Sequence, residues 1–209
     1  VLLLRQHEFD WHLTALIRYG PLCLIKKTFN PIDSMENLME TAHTRIVLIT
    51  GYSGAGKSTA LNQFEDLGWE VADNIPLTLL SPLVLEISKE GGLNIAVGVD
   101  TRTRGFNVEK LIELLARLKS DTDSPVELLF IDCDSTVLKK RFTETRRKHP
   151  LASDRPVADG IKAERSLFRS LKDQADICID TTLLALPDLR HQIIPVSYPH
   201  RPLPTKRIV

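Results

Sequence analysis

The apolar residues of this chain follow two patterns. Short continuous runs at 45–50, 69–72, 94–100, 126–132 and 176–180 have the length and composition of buried strands. Helical periods lie between them. The clearest is 107–119, where Val108, Leu111, Ile112, Leu115 and Leu118 form one stripe and Asn107 stands at the N-cap position. A second follows residue 58, with Ala60, Leu61, Phe64 and Leu67 on one face and Gly68 where a helix C-terminus favours glycine. Strands that are apolar on both faces and alternate with helices predict an α/β fold, a mostly parallel sheet with helices on both faces. Ligands gather at the carboxyl ends of such strands.

The ends of the chain depart from this alternation. Residues 1–44 contain Trp11, Tyr19, Phe29 and two prolines without a sustained period, and they read as an N-terminal extension to a domain at 45–193. The first residue is Val rather than Met, as an alternative start codon or a missing N-terminal piece would give. Residues 194–209 contain Pro195, Pro199, Pro202 and Pro204 and read as an extended tail, since proline at this density does not continue a helix.

Charge narrows the picture less than pattern does. Lys plus Arg and Asp plus Glu number 27 each, so no global field draws the chain to nucleic acid or membrane, and any basic site must be local. Uncharged stretches are too short for a membrane span, and residues 1–27 carry Arg5, Glu8, Asp10 and Arg18 where a signal peptide would be clean. A cytoplasmic location is expected. Cys23, Cys133 and Cys178 are widely spaced and read as small buried hydrophobes; no Cys/His cluster has metal-ligand spacing.

The candidate chemistry centres on Gly51-Tyr52-Ser53-Gly54-Ala55-Gly56-Lys57-Ser58, a complete G-x-x-x-x-G-K-[ST] loop. It lies between the run Ile46–Thr50 and the helical pattern after 58, the context in which a glycine loop turns backbone N–H groups toward a triphosphate. That identifies the fold as a P-loop NTPase type. The N–H groups of roughly 53–58 form an anion cradle at the positive end of the following helix. Lys57 is the expected β/γ-phosphate ligand and Ser58 offers a hydroxyl to Mg²⁺, with Thr59 either assisting or simply starting the helix. Magnesium also needs a carboxylate from a neighbouring strand end, and Asp100 and Asp132, with Asp134 beyond it, are equally placed by spacing. Each also has a plain role available as a cap of the next element. Asp73, ending the run at 69–72, either orients a hydroxyl or a water in the same crevice or forms an Asx turn before Pro76. The basic run Lys139, Lys140, Arg141, Arg146, Arg147, Lys148 and His149 lies on a helical pattern with Leu138 and Phe142 inward. It is either a solvated face or a lid over the nucleotide. As a lid, Arg146 and Arg147 are the better candidates for stabilising a transferring phosphoryl group, with Arg102 and Arg104 at the crevice mouth.

These segments together resemble the RapZ/YvcJ family of nucleotide-binding proteins over about 45–193. The resemblance rests on Gly51–Ser58, Glu65-Asp66-Leu67-Gly68, Asp73-Asn74-Ile75-Pro76, Asp100-Thr101-Arg102-Thr103, Arg141-Phe142-Thr143-Glu144-Thr145-Arg146-Arg147-Lys148-His149-Pro150-Leu151 and Ala175-Asp176-Ile177-Cys178-Ile179-Asp180-Thr181. It implies binding of ATP and GTP with slow hydrolysis, the ATP site on 51–58 and a guanine-nucleotide motif on Asp100, Thr101, Arg102 and Thr103. Thr103 stands where the family has Asn. The resemblance favours Asp100 over Asp132 for the metal. Some relatives deliver a small regulatory RNA to a ribonuclease through a second domain. The tail here has no likeness to that domain, as a truncation or frameshift would leave it, so an RNA or protein partner is not expected to carry over. A small-molecule kinase of similar architecture and a non-catalytic RNA-binding remnant are the alternative readings.

Overall fold

A computed structural model describes residues 44–90 and 92–197. The expected extension and most of the expected tail, at 1–43 and 198–209, lie outside these residues. Five strands form one parallel sheet in the order β2-β3-β1-β4-β5. They are β1 (Ile46–Gly51), β2 (Glu70–Asp73), β3 (Ile95–Gly98), β4 (Val126–Asp132) and β5 (Ile177–Asp180). Each falls within a residue or two of its apolar run. β1 and β3 are buried along their whole length, as strands covered on both faces must be, whereas the edge strands β2 and β5 expose some positions. β1 is central, Ile46 pairing with Ile95 on one side and with Val126 on the other.

Among the described residues seven helices follow in order: α1 (Lys57–Asp66), α2 (Leu77–Glu90), α3 (Val108–Asp121), α4 (Ser135–Thr145), α5 (Val157–Leu167), α6 (Arg169–Asp173) and α7 (Leu186–Ser197). The chain runs from β1 out to the edge at β2, then returns through β3 and continues to β4. Right-handed crossovers therefore put α1 on one face and α2 and α3 on the other. The packing agrees, α1 lying against α7 and α2 against α3. Asn107 caps α3 by accepting the Lys110 N–H at 2.8 Å, and Val108, Leu111, Leu115 and Leu118 are buried. Gly68 follows α1 with φ of 82° and donates to the Glu65 carbonyl, the expected glycine stop. Among the described residues no helix is long and apolar enough to cross a membrane.

One boundary differs from expectation. The tail was expected from 194, yet α7 continues to Ser197 with Pro195 inside it. The last turn is held from outside the helix. Ile193 and Val196 are buried, and Arg45 Nη1 donates to the Val196 carbonyl at 2.9 Å. These contacts offset the hydrogen bond that proline removes.

Candidate functional site

All five strands point the same way, so their carboxyl ends meet at one edge of the sheet, around a cavity of about 880 Å³. Gly51 through Thr59 line it. Gly51, Gly54 and Gly56 have φ of 151°, 84° and 119°, a region that a Cβ resists. Tyr52 N–H donates to the Ile131 carbonyl and Ala55 N–H closes a turn on the Tyr52 carbonyl at 2.9 Å. The loop then enters α1 through Gly56. That helix has no side-chain cap and no acidic residue in its first turn, so its leading N–H groups are open to an anion. Tyr52 reaches inward as well, its ring 5.2 Å from Phe130 and 4.5 Å from the Arg165 guanidinium.

Lys57 is buried between two carboxylates. Its Nζ lies 2.6 Å from Asp73 Oδ1 and 3.0 Å from Asp100 Oδ2. Asp73 reaches it across β3 because residue 98 is glycine: a Cβ there would fall 2.4 Å from Asp73 Oδ1. The same Oδ1 accepts the Asn74 N–H at 3.0 Å, so Asp73 meets the crevice and closes its own turn at once. Asp100 follows β3 and is buried. Burial alone would raise its carboxyl, but hydrogen bonding to the Arg102 guanidinium and the charge of Lys57 outweigh it, and the group sits below the ordinary carboxylate value. Arg102 grips Asp100 from side chain and backbone, at 2.7 and 2.8 Å. Thr103 turns inward and accepts the Asp100 N–H at 3.1 Å, closing the 100–103 turn. Thr101 lines the cavity, and its buried hydroxyl has no hydrogen-bond partner among the described residues. A carboxylate kept ionised and the Ser58 hydroxyl in one cavity are a donor set suited to a hard cation.

The opposite flank of the loop belongs to α4 and the segment after β5. Arg141 donates to the Gly54 carbonyl at 3.1 Å and to the Thr181 carbonyl at 2.8 Å. Thr181 Oγ1 donates to the Ala55 carbonyl at 2.7 Å. Leu184, Ala185 and Leu189 complete an apolar end of the cavity near Gly56, where a Cβ would lie 2.9 Å from Leu189 Cδ2. Arg147 and Lys148 line the cavity, whereas Arg146 caps α4 with φ of 52° and is not among the lining residues. Arg104 does not line the cavity either; its carbonyl accepts the Leu77 N–H.

Asp132 and Asp134, equal to Asp100 by spacing, do not line the cavity. Asp134 caps α4 by accepting the Thr136 N–H at 2.7 Å. Asp132 is held by Lys172 at 2.5 Å. Two residues close to the site, Lys172 and Glu164, were not singled out from the sequence, and Arg141 was named only within the basic run and the family motif. Lys172 comes from the far end of the chain and leaves no local signal. Arg141 shares a helix face with Leu138 and Phe142, and that spacing distinguishes it from Lys139 and Lys140. Glu164 is fully buried and accepts from Ser53 N–H and Oγ–H at 2.9 and 2.7 Å. It interrupts the buried series Ile161, Phe168 and Leu171 at helical spacing, and an acid in such a stripe is the available signal.

Comparison with known proteins gives a consistent picture. The family of RapZ-like N-terminal domains matches residues 44–197. A nucleotide-binding protein of Zymomonas mobilis is 42% identical over 168 residues, covering 78% of this chain and 52% of the relative. One of Paramagnetospirillum magneticum is 51% identical over 140 residues, covering 66% of this chain and 45% of the relative. The chain thus spans about half the length of the curated relatives it matches. Among solved structures, shikimate kinase from Acinetobacter baumannii, in complex with shikimate, aligns with a TM-score of 0.51 at 16% identity, over 74% of this chain and 93% of that one. Shikimate kinase from Bacteroides thetaiotaomicron aligns at 0.50 and 15% identity, over 73% and 97%. At these identities the likeness is one of fold alone.

Proposed function

The chain belongs to the family of RapZ-like N-terminal domains, and on that premise we propose that it binds ATP or GTP with Mg²⁺ and hydrolyses it slowly, as a regulatory NTPase domain. The observation that carries this reading is the uncapped N-terminus of α1, with Lys57 beside it, opening into a cavity of nucleotide size. The phosphates lie along 54–58 and exchange for Asp73 and Asp100 as partners of Lys57. The base occupies the apolar end formed by Leu184, Ala185 and Leu189, with Arg141 and Thr181 between base and phosphate. On this reading 100–103 serves the phosphate end and does not discriminate the base, which fits tolerance of both ATP and GTP. Asp100 and Ser58 would hold Mg²⁺, which supplies charge neutralisation at the transferred phosphoryl group. Asp73 orients the attacking water, and Arg147 meets developing charge.

Lys57→Ala tests the assignment. Its affinity for ATP and GTP, measured by calorimetry, is expected to fall roughly ten- to a hundredfold; unchanged affinity sinks it. Transfer to a small molecule is a second reading, favoured by the Asp73 carboxylate at 2.6 Å from Lys57, where an acceptor hydroxyl would also be oriented. Transfer of labelled phosphate to a metabolite, far faster than hydrolysis, would select it.

A further inference from the structure

The side chains of Glu164 and His149 have no exposed surface. A carboxylate beside an anion cradle repels the anion, and burying its charge is costly, so phosphate binding alone gives no reason for Glu164. Its partners supply one. Ser53 N–H donates to Oε2 at 2.9 Å and Ser53 Oγ–H to Oε1 at 2.7 Å. His149 Nε2 makes a third contact at 3.2 Å. The other ring nitrogen, Nδ1, accepts the Leu151 N–H at 3.2 Å, so the ring carries its proton at Nε2 and donates it to Glu164. Burial pushes the Glu164 carboxyl up, and the two Ser53 donors and His149 oppose that rise.

The same helix makes room for the imidazole. At Gly160, one turn before Glu164, a Cβ would fall 2.5 Å from His149 Nδ1. Phe142 packs on the other side, its ring 5.0 Å from the imidazole, and a Cβ on Gly54 would sit 3.2 Å from Phe142 Cε2. The contacts close a circuit: Ser53, Glu164, His149, Phe142, Gly54. Arg147, Lys148 and Pro150, flanking His149, line the cavity.

We propose that Glu164 is a positioning residue for the nucleotide site: it fixes Ser53 in the P-loop and, through His149, locks the loop to the 147–150 segment, so that loop and basic segment engage the phosphates as one unit. The inference rests on nucleotide binding at 51–58. The test is a double-substitution cycle on Mg-ATP affinity in the full chain, with far-UV circular dichroism as a check on folding. Arg147→Ala is expected to weaken binding about tenfold, and Glu164→Gln, which leaves Ser53 and His149 donors without an anionic acceptor, to weaken it by a similar factor. In the Glu164→Gln background, Arg147→Ala should cost less than about twofold, because the segment is no longer held. Effects that multiply, or wild-type affinity in Glu164→Gln, overturn the proposal. If Glu164→Gln does not fold, the His149 pair decides. His149→Gln still offers an N–H to Glu164 and keeps the Arg147 effect, whereas His149→Leu loses it; identical behaviour of the two overturns the proposal. If the wild-type chain bound neither ATP nor GTP, the nucleotide reading itself would fall, before any substitution is compared.

Discussion

Two strand ends flank the P-loop strand and look alike in sequence, β3 leading into Asp100 and β4 ending in Asp132. Their surroundings differ. Asp100 is buried 3.0 Å from Lys57, gripped by Arg102, and lines the cavity. Asp132 is 2.5 Å from Lys172, a cation on α6. Burial works against the Lys172 charge, but Asp132 outweighs it and holds the ammonium above its ordinary range. The difference teaches that a strand-end carboxylate is assigned by the cation that reaches it. At β3 that cation is Lys57, at the end of the glycine-rich loop; at β4 it is Lys172, on the short helix α6.

Substitutions can break this comparison. The largest effect is expected at Asp100→Asn, which should weaken Mg-nucleotide binding about a hundredfold or less, with its partners Lys57 and Arg102 still present. Titration of binding against Mg²⁺ checks it, and an effect no larger than that of Asp132→Asn would erase the distinction. Asp132→Asn should instead cost about 1–3 kcal/mol of stability, read as a drop in Tm of a few degrees, with nucleotide affinity kept. Arg141→Ala, which frees the Gly54 carbonyl and Thr181, should weaken nucleotide binding about tenfold. Arg146→Gly relieves the left-handed position at the end of α4 and should stabilise the fold by about 0.5 kcal/mol. If it also weakened nucleotide binding as Arg147→Ala is expected to, the separation drawn between Arg146 and Arg147 would be wrong.

Acid sharpens the same contrast. The folded state holds the Asp100 carboxyl below its ordinary value. Its contribution to stability is therefore fully present above the unfolded carboxylate value and is lost as pH falls through the folded one. Denaturant unfolding followed downward from neutral pH should show wild-type stability falling, and falling less steeply in Asp100→Asn. Equal slopes would mean that Lys57 and Arg102 do not hold the group ionised.

What the sequence makes legible is what local rules decide. The apolar run of β1, the glycines of 51–58, the Asn107 cap and the stripe on α3 each follow from neighbours within a turn or two, and they stand where expected. The path of α7 through Pro195 is not legible, because Arg45, from the start of the domain, holds its last turn. Spacing cannot separate Asp100 from Asp132, since Lys172 arrives only through the fold. The Arg141 grip on the loop and the Ser53–Glu164 contact likewise depend on helices meeting across the sheet edge. Local pattern therefore locates the phosphate loop, while the residues that hold its shape come from distant segments.

The central place of β1 also has a consequence for the order of events in folding. The strand that carries the P-loop is the first of the five to leave the ribosome, yet both its neighbours come later, the first at residue 95 and the second at 126. Arg45, just before it, donates to the Val196 carbonyl, 151 residues further along the chain. Pairing across such separations is intrinsically slow. β1 thus leaves the ribosome with both edges unpaired until β3 and β4 have followed, and the loop after it gains its contacts from Arg141 and Thr181 only once those later residues have been made.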